Sequence, residues 1–157
     1  MPHQEKVHPG NGITITLNGK FDLDSLYKTI KNWFDENRYD YYENENQEKN
    51  FPEGNFILMK LNGTRDVDDF VQFRVEIGLQ VTRLNRLEKG YTGELTVKLR
   101  GFYTLDYKNN WKNFDIPFYI YRKIILKKKI DDFYEPKIYD ELMDLNSKVK
   151  SDLKIAR

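Results

Sequence analysis

The segment Val71-Gln72-Phe73-Arg74-Val75-Glu76-Ile77-Gly78-Leu79-Gln80-Val81 decides the architecture. Every odd position is apolar and every even position is polar or glycine. Successive side chains of an extended strand point to opposite faces, so this alternation predicts a long strand with one face in the core. Leu95, Val97, Leu99, Tyr103 and Leu105 alternate in the same way with Glu94, Thr96, Lys98, Arg100 and Thr104. Glu88-Lys89-Gly90 between the two runs is a turn signal. Half-buried alternation belongs to antiparallel sheets, and the two runs read as strands over 70–84 and 94–107.

In a hairpin the apolar faces of both strands point the same way. A turn near Lys89 pairs Ile77 with Gly101, Val75 with Tyr103 and Phe73 with Leu105, and sets Gly78 beside Arg100. Two glycines at one level predict a bend in the sheet. Upstream, 56–61 reads as a further strand, joined to the long one by Thr64 to Asp69. A turn near Asp66 pairs Leu61 with Val71, Met59 with Phe73 and Ile57 with Val75. Phe51-Pro52-Glu53-Gly54 reads as a turn, and Tyr39 to Tyr42 as a strand that frays into the polar run Glu43 to Asn50.

Ile13 to Leu17 is a short strand, and Asn18-Gly19 a turn signal. Helix 22–38 follows, with Asp22 as N-cap and Phe21 and Leu26 placed as a hydrophobic staple. Leu23, Leu26, Tyr27, Ile30, Trp33 and Phe34 make its apolar stripe. Two helices over 115–130 and 136–155 close the chain, with Pro117 suited to a first helical turn and Pro136 marking a break or a new start. Residues 1–12 read as a flexible N-terminal tail and 13–155 as one domain. The expected class is α+β: a curved antiparallel β-sheet packed on an N-terminal helix, with C-terminal helices. The order β-α-β-β-β-β-α-α is similar to a reduced helix-grip arrangement.

Composition narrows the function. The 157 residues carry a net charge of +1, without the basic excess of a dedicated polyanion binder. There is no cysteine, so thiol chemistry, disulfides and cysteine-type zinc sites are excluded. Met1 to Gly12 is polar and lacks the apolar core of a secretory signal, and no apolar run reaches the roughly 20 residues of a membrane span. A cytoplasmic protein is the expectation.

Catalysis finds no motif. His3 and His8 both fall in the expected tail, so the body lacks an imidazole base. Asp66, Asp68 and Asp69 lack the glycine and distal glutamate of a calcium loop and read as a solvated turn. No cofactor and no metal site is expected. Arg122, Lys123, Lys127, Lys128 and Lys129, with Tyr119, Tyr121 and Tyr134 nearby, form the nucleic-acid hint, but Asp131, Asp132 and Glu135 follow at once. Ile138, Leu142, Leu145, Val149 and Leu153 make a stripe that suits packing on the sheet, or else a partner helix or the seam of a homo-oligomer. Tyr103 and Tyr107 suggest hydroxyls in an apolar ligand cleft between sheet and helix. On the outer face, the turn near Asp66 brings Phe56, Glu76 and Phe102 into one row. Phe56, Leu58 and Phe102, rimmed by Arg74 and Arg100, then form an apolar contact patch.

The segment Tyr27 to Trp33 with Tyr39, the run Leu105-Asp106-Tyr107-Lys108-Asn109-Asn110-Trp111, and Phe118 to Tyr121 resemble small uncharacterised archaeal α+β proteins over roughly 13–155. That resemblance implies a cytoplasmic, non-secreted protein and transfers no activity. The expected function is a non-catalytic protein-interaction or assembly module. A weak nucleic-acid binder and an apolar-ligand carrier are the alternatives.

Overall fold

The computed structural model describes residues 3–7, 12–105, 107–108 and 127–154. Within them, β1 (His3–Lys6), β2 (Ile13–Phe21), β3 (Asp40–Lys49), β4 (Asn55–Asp66), β5 (Val71–Arg86) and β6 (Tyr91–Leu105) form one antiparallel sheet. β1 and β2 lie end to end along one side of β6, and β5, β4 and β3 follow on the other. Helix α1 (Leu23–Glu36) leads from β2 to β3. The C-terminal part comprises a single turn α2 (Lys127–Lys129), a π-helical turn (Ile130–Tyr134) and α3 (Glu135–Asp152). The α+β class and the element order agree with the expectation. Most of the expected helix 115–130, with Arg122 and Lys123, lies outside the described residues.

Local chemistry explains the element ends. Asp22 caps α1, its Oδ1 accepting the Ser25 N–H at 3.0 Å. The helix stops where Arg38 turns left-handed, at φ 60°. The Trp33 carbonyl accepts from Asn37 twice, from its backbone N–H at 3.0 Å and from Nδ2 at 2.9 Å. The turn between β4 and β5 is made by Asp68, whose Oδ1 accepts the N–H groups of Phe70 and Val71, both at 2.8 Å. An aspartate that binds its own following backbone is a turn former. Arg65 and Asp66 therefore stay in the strand.

That turn changes the register. Leu61 pairs with Ile77 and Arg65 with Phe73, in place of Leu61 with Val71. The β5–β6 hairpin differs as well: Ile77 faces Leu99, Val75 faces Gly101, and Gly78 faces Lys98. One residue of the shift comes from the turn, where Arg86 pairs with Tyr91, and one from a bulge between Thr82 and Asn85, where Arg83 takes φ 55°. A bulge sets two residues against one, and the two single steps add to two, so the pairing moved while the faces stayed in phase. Gly78 and Gly101 are not at one level, and the bend expected from that pair has no such basis.

Another glycine pair explains how the helices seat. Gly63, Val75 and Gly101 form one row on the inner face. A Cβ on Gly63 would collide with the Phe34 ring of α1. A Cβ on Gly101 would come within 3.3 Å of Leu142 and 3.8 Å of Ile138 of α3. Each bare backbone position admits one helix, so α1 and α3 share this face and cover the core between them.

Ile138, Leu142, Leu145 and Val149 are all 0% exposed, which assigns the α3 stripe to the domain's own core and leaves no seam for a partner helix. Each such side chain contributes roughly 1.5–3 kcal/mol when fully buried. The space expected as an apolar cleft is occupied by the fully buried Trp33, Phe34 and Phe73. Tyr103 is buried and donates to Glu135 at 2.9 Å, while Tyr107 donates to the Asp68 carbonyl at 2.7 Å. The two hydroxyls share no cleft.

Two further expectations are corrected. His3–Lys6 pairs with β6 across Phe102 to Leu105, so this part of the expected tail belongs to the sheet. The polar run 43–49 does not fray: β3 stays paired through Lys49, with a one-residue irregularity between Glu43 and Glu45.

Candidate functional site

The face of the sheet opposite α1 and α3 carries the even-numbered positions of β4, β5 and β6. Their side chains fall in rows set by the pairing: Leu58–Gln80–Thr96, Lys60–Gly78–Lys98, Asn62–Glu76–Arg100 and Thr64–Arg74–Phe102. A groove of about 370 Å³ lies along the first three rows, with Asn44 of β3 at its side. This volume is within the usual range for a ligand site, roughly 300–1,000 Å³.

Gly78 is the floor of the groove. Its neighbours in the row, Lys60 and Lys98, stand as walls on β4 and β6. A Cβ at Gly78 would meet nothing nearer than Lys98 Cβ at 3.9 Å. Its backbone is not in the left-handed region either, unlike Gly19, Gly54 and Gly90. Gly63 and Gly101 are explained by the helices pressed on them; the described fold makes no comparable use of Gly78.

The groove's described lining carries both signs of charge. Its lining holds Lys60, Lys98 and Arg100 against Glu76. Glu76 is already matched by Arg74, whose Nη2 donates to Glu76 Oε1. The Arg74 guanidinium also lies 5.1 Å from the centre of the Phe102 ring. Asn44, Asn62, Gln80 and Thr96 add amide and hydroxyl groups, and Leu58 an apolar contact.

The expected contact patch is therefore taken apart and partly rebuilt. Leu58 and Arg100 line the groove, and Arg74 and Phe102 occupy the next row. Phe56 is not with them. It pairs with Lys49, while the row of Phe102 meets β4 at Thr64, eight residues further on. At ~3.3 Å per residue the two rings stand roughly 26 Å apart along the strand. Lys60, Gly78 and Lys98 were missed by the sequence reading. Their signal was present, a glycine at the centre of an alternating strand, but it has meaning only once the register sets lysines on both sides.

The remaining polar clusters tie elements together. Glu141 of α3 accepts from both Arg65 Nη atoms at 2.8 and 2.7 Å and from the Tyr39 hydroxyl at 3.0 Å. Trp33 Nε1 donates to Asp144 at 3.1 Å. Tyr27 and Tyr41 both donate to Glu43 Oε1, at 2.5 and 2.9 Å, which joins α1 to β3. Asp68, expected in a solvated turn, also accepts from the Tyr134 hydroxyl at 2.6 Å. Lys127, Lys128 and Lys129 are exposed. Among the described residues, no group of three His, Asp or Glu side chains is placed to hold a metal ion, and no helix is long and apolar enough to cross a membrane. Comparison with protein-family models and with curated proteins finds no match.

Proposed function

We propose that this chain is a non-catalytic protein-binding module that receives its partner in the outer-face groove. Gly78 is the observation that carries the reading. It stands near the middle of the 16-residue strand β5, where glycine weakens a sheet. Neither a bulge, a left-handed backbone nor a packed neighbour accounts for it. Close approach by another molecule is one of the uses of a glycine inside a strand, and the open space above Gly78 supports that use here. The mixed lining of cations, amides, a hydroxyl and a leucine supports a partner that is itself a polypeptide, because polar groups that fix orientation beside apolar area suit such a contact.

The test compares wild type with Gly78→Val. Valine is the better strand former by up to ~1 kcal/mol, so the variant should melt at the same temperature or slightly higher. Both proteins, immobilised through the same tag, are exposed to extract of the cells that make the protein, and the recovered proteins are quantified by mass spectrometry. A partner held by wild type and lost with the folded variant is the expected outcome. Equal recovery by both overturns the reading, as does a wild type that recovers nothing beyond the tag alone.

A further inference from the structure

Away from the groove, we infer that the free side of β2 pairs with the β2 of a second copy of this chain, antiparallel and centred on Ile15, joining two sheets into one. β2 is paired with β6 on one side, and among the described residues no strand lies on its other side. The outward backbone N–H and C=O groups of such an edge are a template for another strand. The sheet's other margins are blunted in the usual ways, by charge, irregularity or shortness. β3 carries Asp40, Glu43, Glu48 and Lys49, with an irregularity between Glu43 and Glu45. β1 is only 4 residues long and carries Glu5 and Lys6. Over Ile13 to Leu17, β2 has none of these devices. Ile-Thr-Ile-Thr-Leu holds no charge and no proline, keeps an unbroken register with β6, and is mostly β-branched, which favours strands. The first departure is Gly19, at φ 128°.

The same segment is its own complement. Ile13, Ile15 and Leu17 pair with Leu99, Val97 and Leu95 and so share the core face, while Thr14 and Thr16 take the other. An antiparallel copy centred on Ile15 sets Ile13 against Leu17 and Ile15 against Ile15 on the core face, and Thr14 against Thr16 on the outer one. Pairs of β-branched residues and of threonines are favourable cross-strand neighbours. The order apolar-Thr-apolar-Thr-apolar reads alike in both directions, as a two-fold contact between identical surfaces requires. Ile13 and Leu17 are only partly buried at the margin of the core, and the second copy would cover them. Lys20 is the one charge on β2, and antiparallel pairing carries the two Lys20 residues to opposite ends of the seam.

Sedimentation equilibrium of the full chain, from low micromolar to submillimolar concentration, reads the association. Wild type should pass from the mass of one chain to that of two. Thr14→Glu with Thr16→Glu should retain the fold, because both threonines are exposed and Lys98 stands beside Thr14. It should weaken the dimer by about tenfold or more, since like charges then face each other across the seam. Mixing that variant with Thr14→Lys, Thr16→Lys should restore a dimer, because opposite charges meet instead. Gly78→Val should associate as wild type does, which separates this surface from the groove. In labelled wild type, the amide resonances of Ile13 to Leu17 should move with concentration while those of β3 stay still; this readout needs no variant to fold. A wild type that stays a single chain at every concentration overturns the inference, even if the edge is found to receive a strand of a different protein. So do concentration-dependent shifts confined to β3 or the groove, and a dimer that the folded glutamate variant leaves intact.

Discussion

Glycine does opposite work at two positions of the same sheet. At Gly63 the missing side chain is occupied space: the Phe34 ring of α1 stands where a Cβ would be. At Gly78 it is open space on the other face. Gly63→Ala should destabilise the domain by about 1–3 kcal/mol, the usual cost of overpacking a core. Gly78→Ala should be neutral or stabilising by up to about 1 kcal/mol, since alanine loses less backbone entropy on folding. Urea denaturation of the two variants measures both. A Gly78→Ala variant as unstable as Gly63→Ala would mean that the fold itself needs Gly78, and the groove would lose its main argument.

Between elements, the contact that fixes α3 is the Arg65–Glu141 pair. Its side chains are only 18% and 12% exposed, and Arg65 Nη1 also donates to the Asn37 carbonyl at 2.7 Å. The guanidinium lies 4.8 Å from the centre of the Tyr39 ring and 5.4 Å from that of Phe73. Burial pushes the Tyr39 hydroxyl far above the ordinary tyrosine range, and the neighbouring Glu141 carboxylate adds to this against the opposing charge of Arg65. Tyr39 thus stays a donor to Glu141. Glu141→Ala should cost about 2–4 kcal/mol, because it leaves a largely buried guanidinium without its counter-ion. The double replacement Arg65→Met with Glu141→Leu should cost less than that single change, since no orphaned charge remains. Thermal melts of the three proteins check the ordering. None of this was legible beforehand: Arg65 and Glu141 are 76 positions apart, and only the docking of α3 near β4 brings them together.

For the whole molecule, acid is the expected weakness. Burial alone would raise the Asp68 carboxyl, but the Tyr134 hydroxyl and the N–H groups of Phe70 and Val71 outweigh it and hold the group below its ordinary range. Glu43 is likewise lowered, by hydrogen bonds from Tyr27 and then Tyr41. A carboxylate depressed in the folded state contributes stability above its unfolded pKa, near 4, and loses it as pH falls through the lower folded value. The melting temperature should therefore be flat around neutrality and fall below about pH 4. Asp68→Asn should lower the plateau and make the acid fall shallower. An unchanged acid limb in Asp68→Asn would show that the turn carboxylate is not linked to folding.

The face that each central strand turns to the core was determined by sequence alone. Alternation is a local property of extended backbone, so Val71 to Val81 and Leu95 to Leu105 declare their inner side without reference to a partner. The start of α1 was equally local, because Asp22 binds a backbone N–H three residues away. Register belonged to the tertiary structure. The Asp68 turn, and the Arg86–Tyr91 turn end together with the bulge at Arg83, shift partners by an even number of residues, and a hydrophobic pattern with a period of two is blind to such a shift. Parity could therefore place Phe56, Leu58, Arg74, Arg100 and Phe102 on one face. Pairing across three strands decided that Phe56 stands far from Phe102, and that Gly78 lies between Lys60 and Lys98 as the floor of a groove.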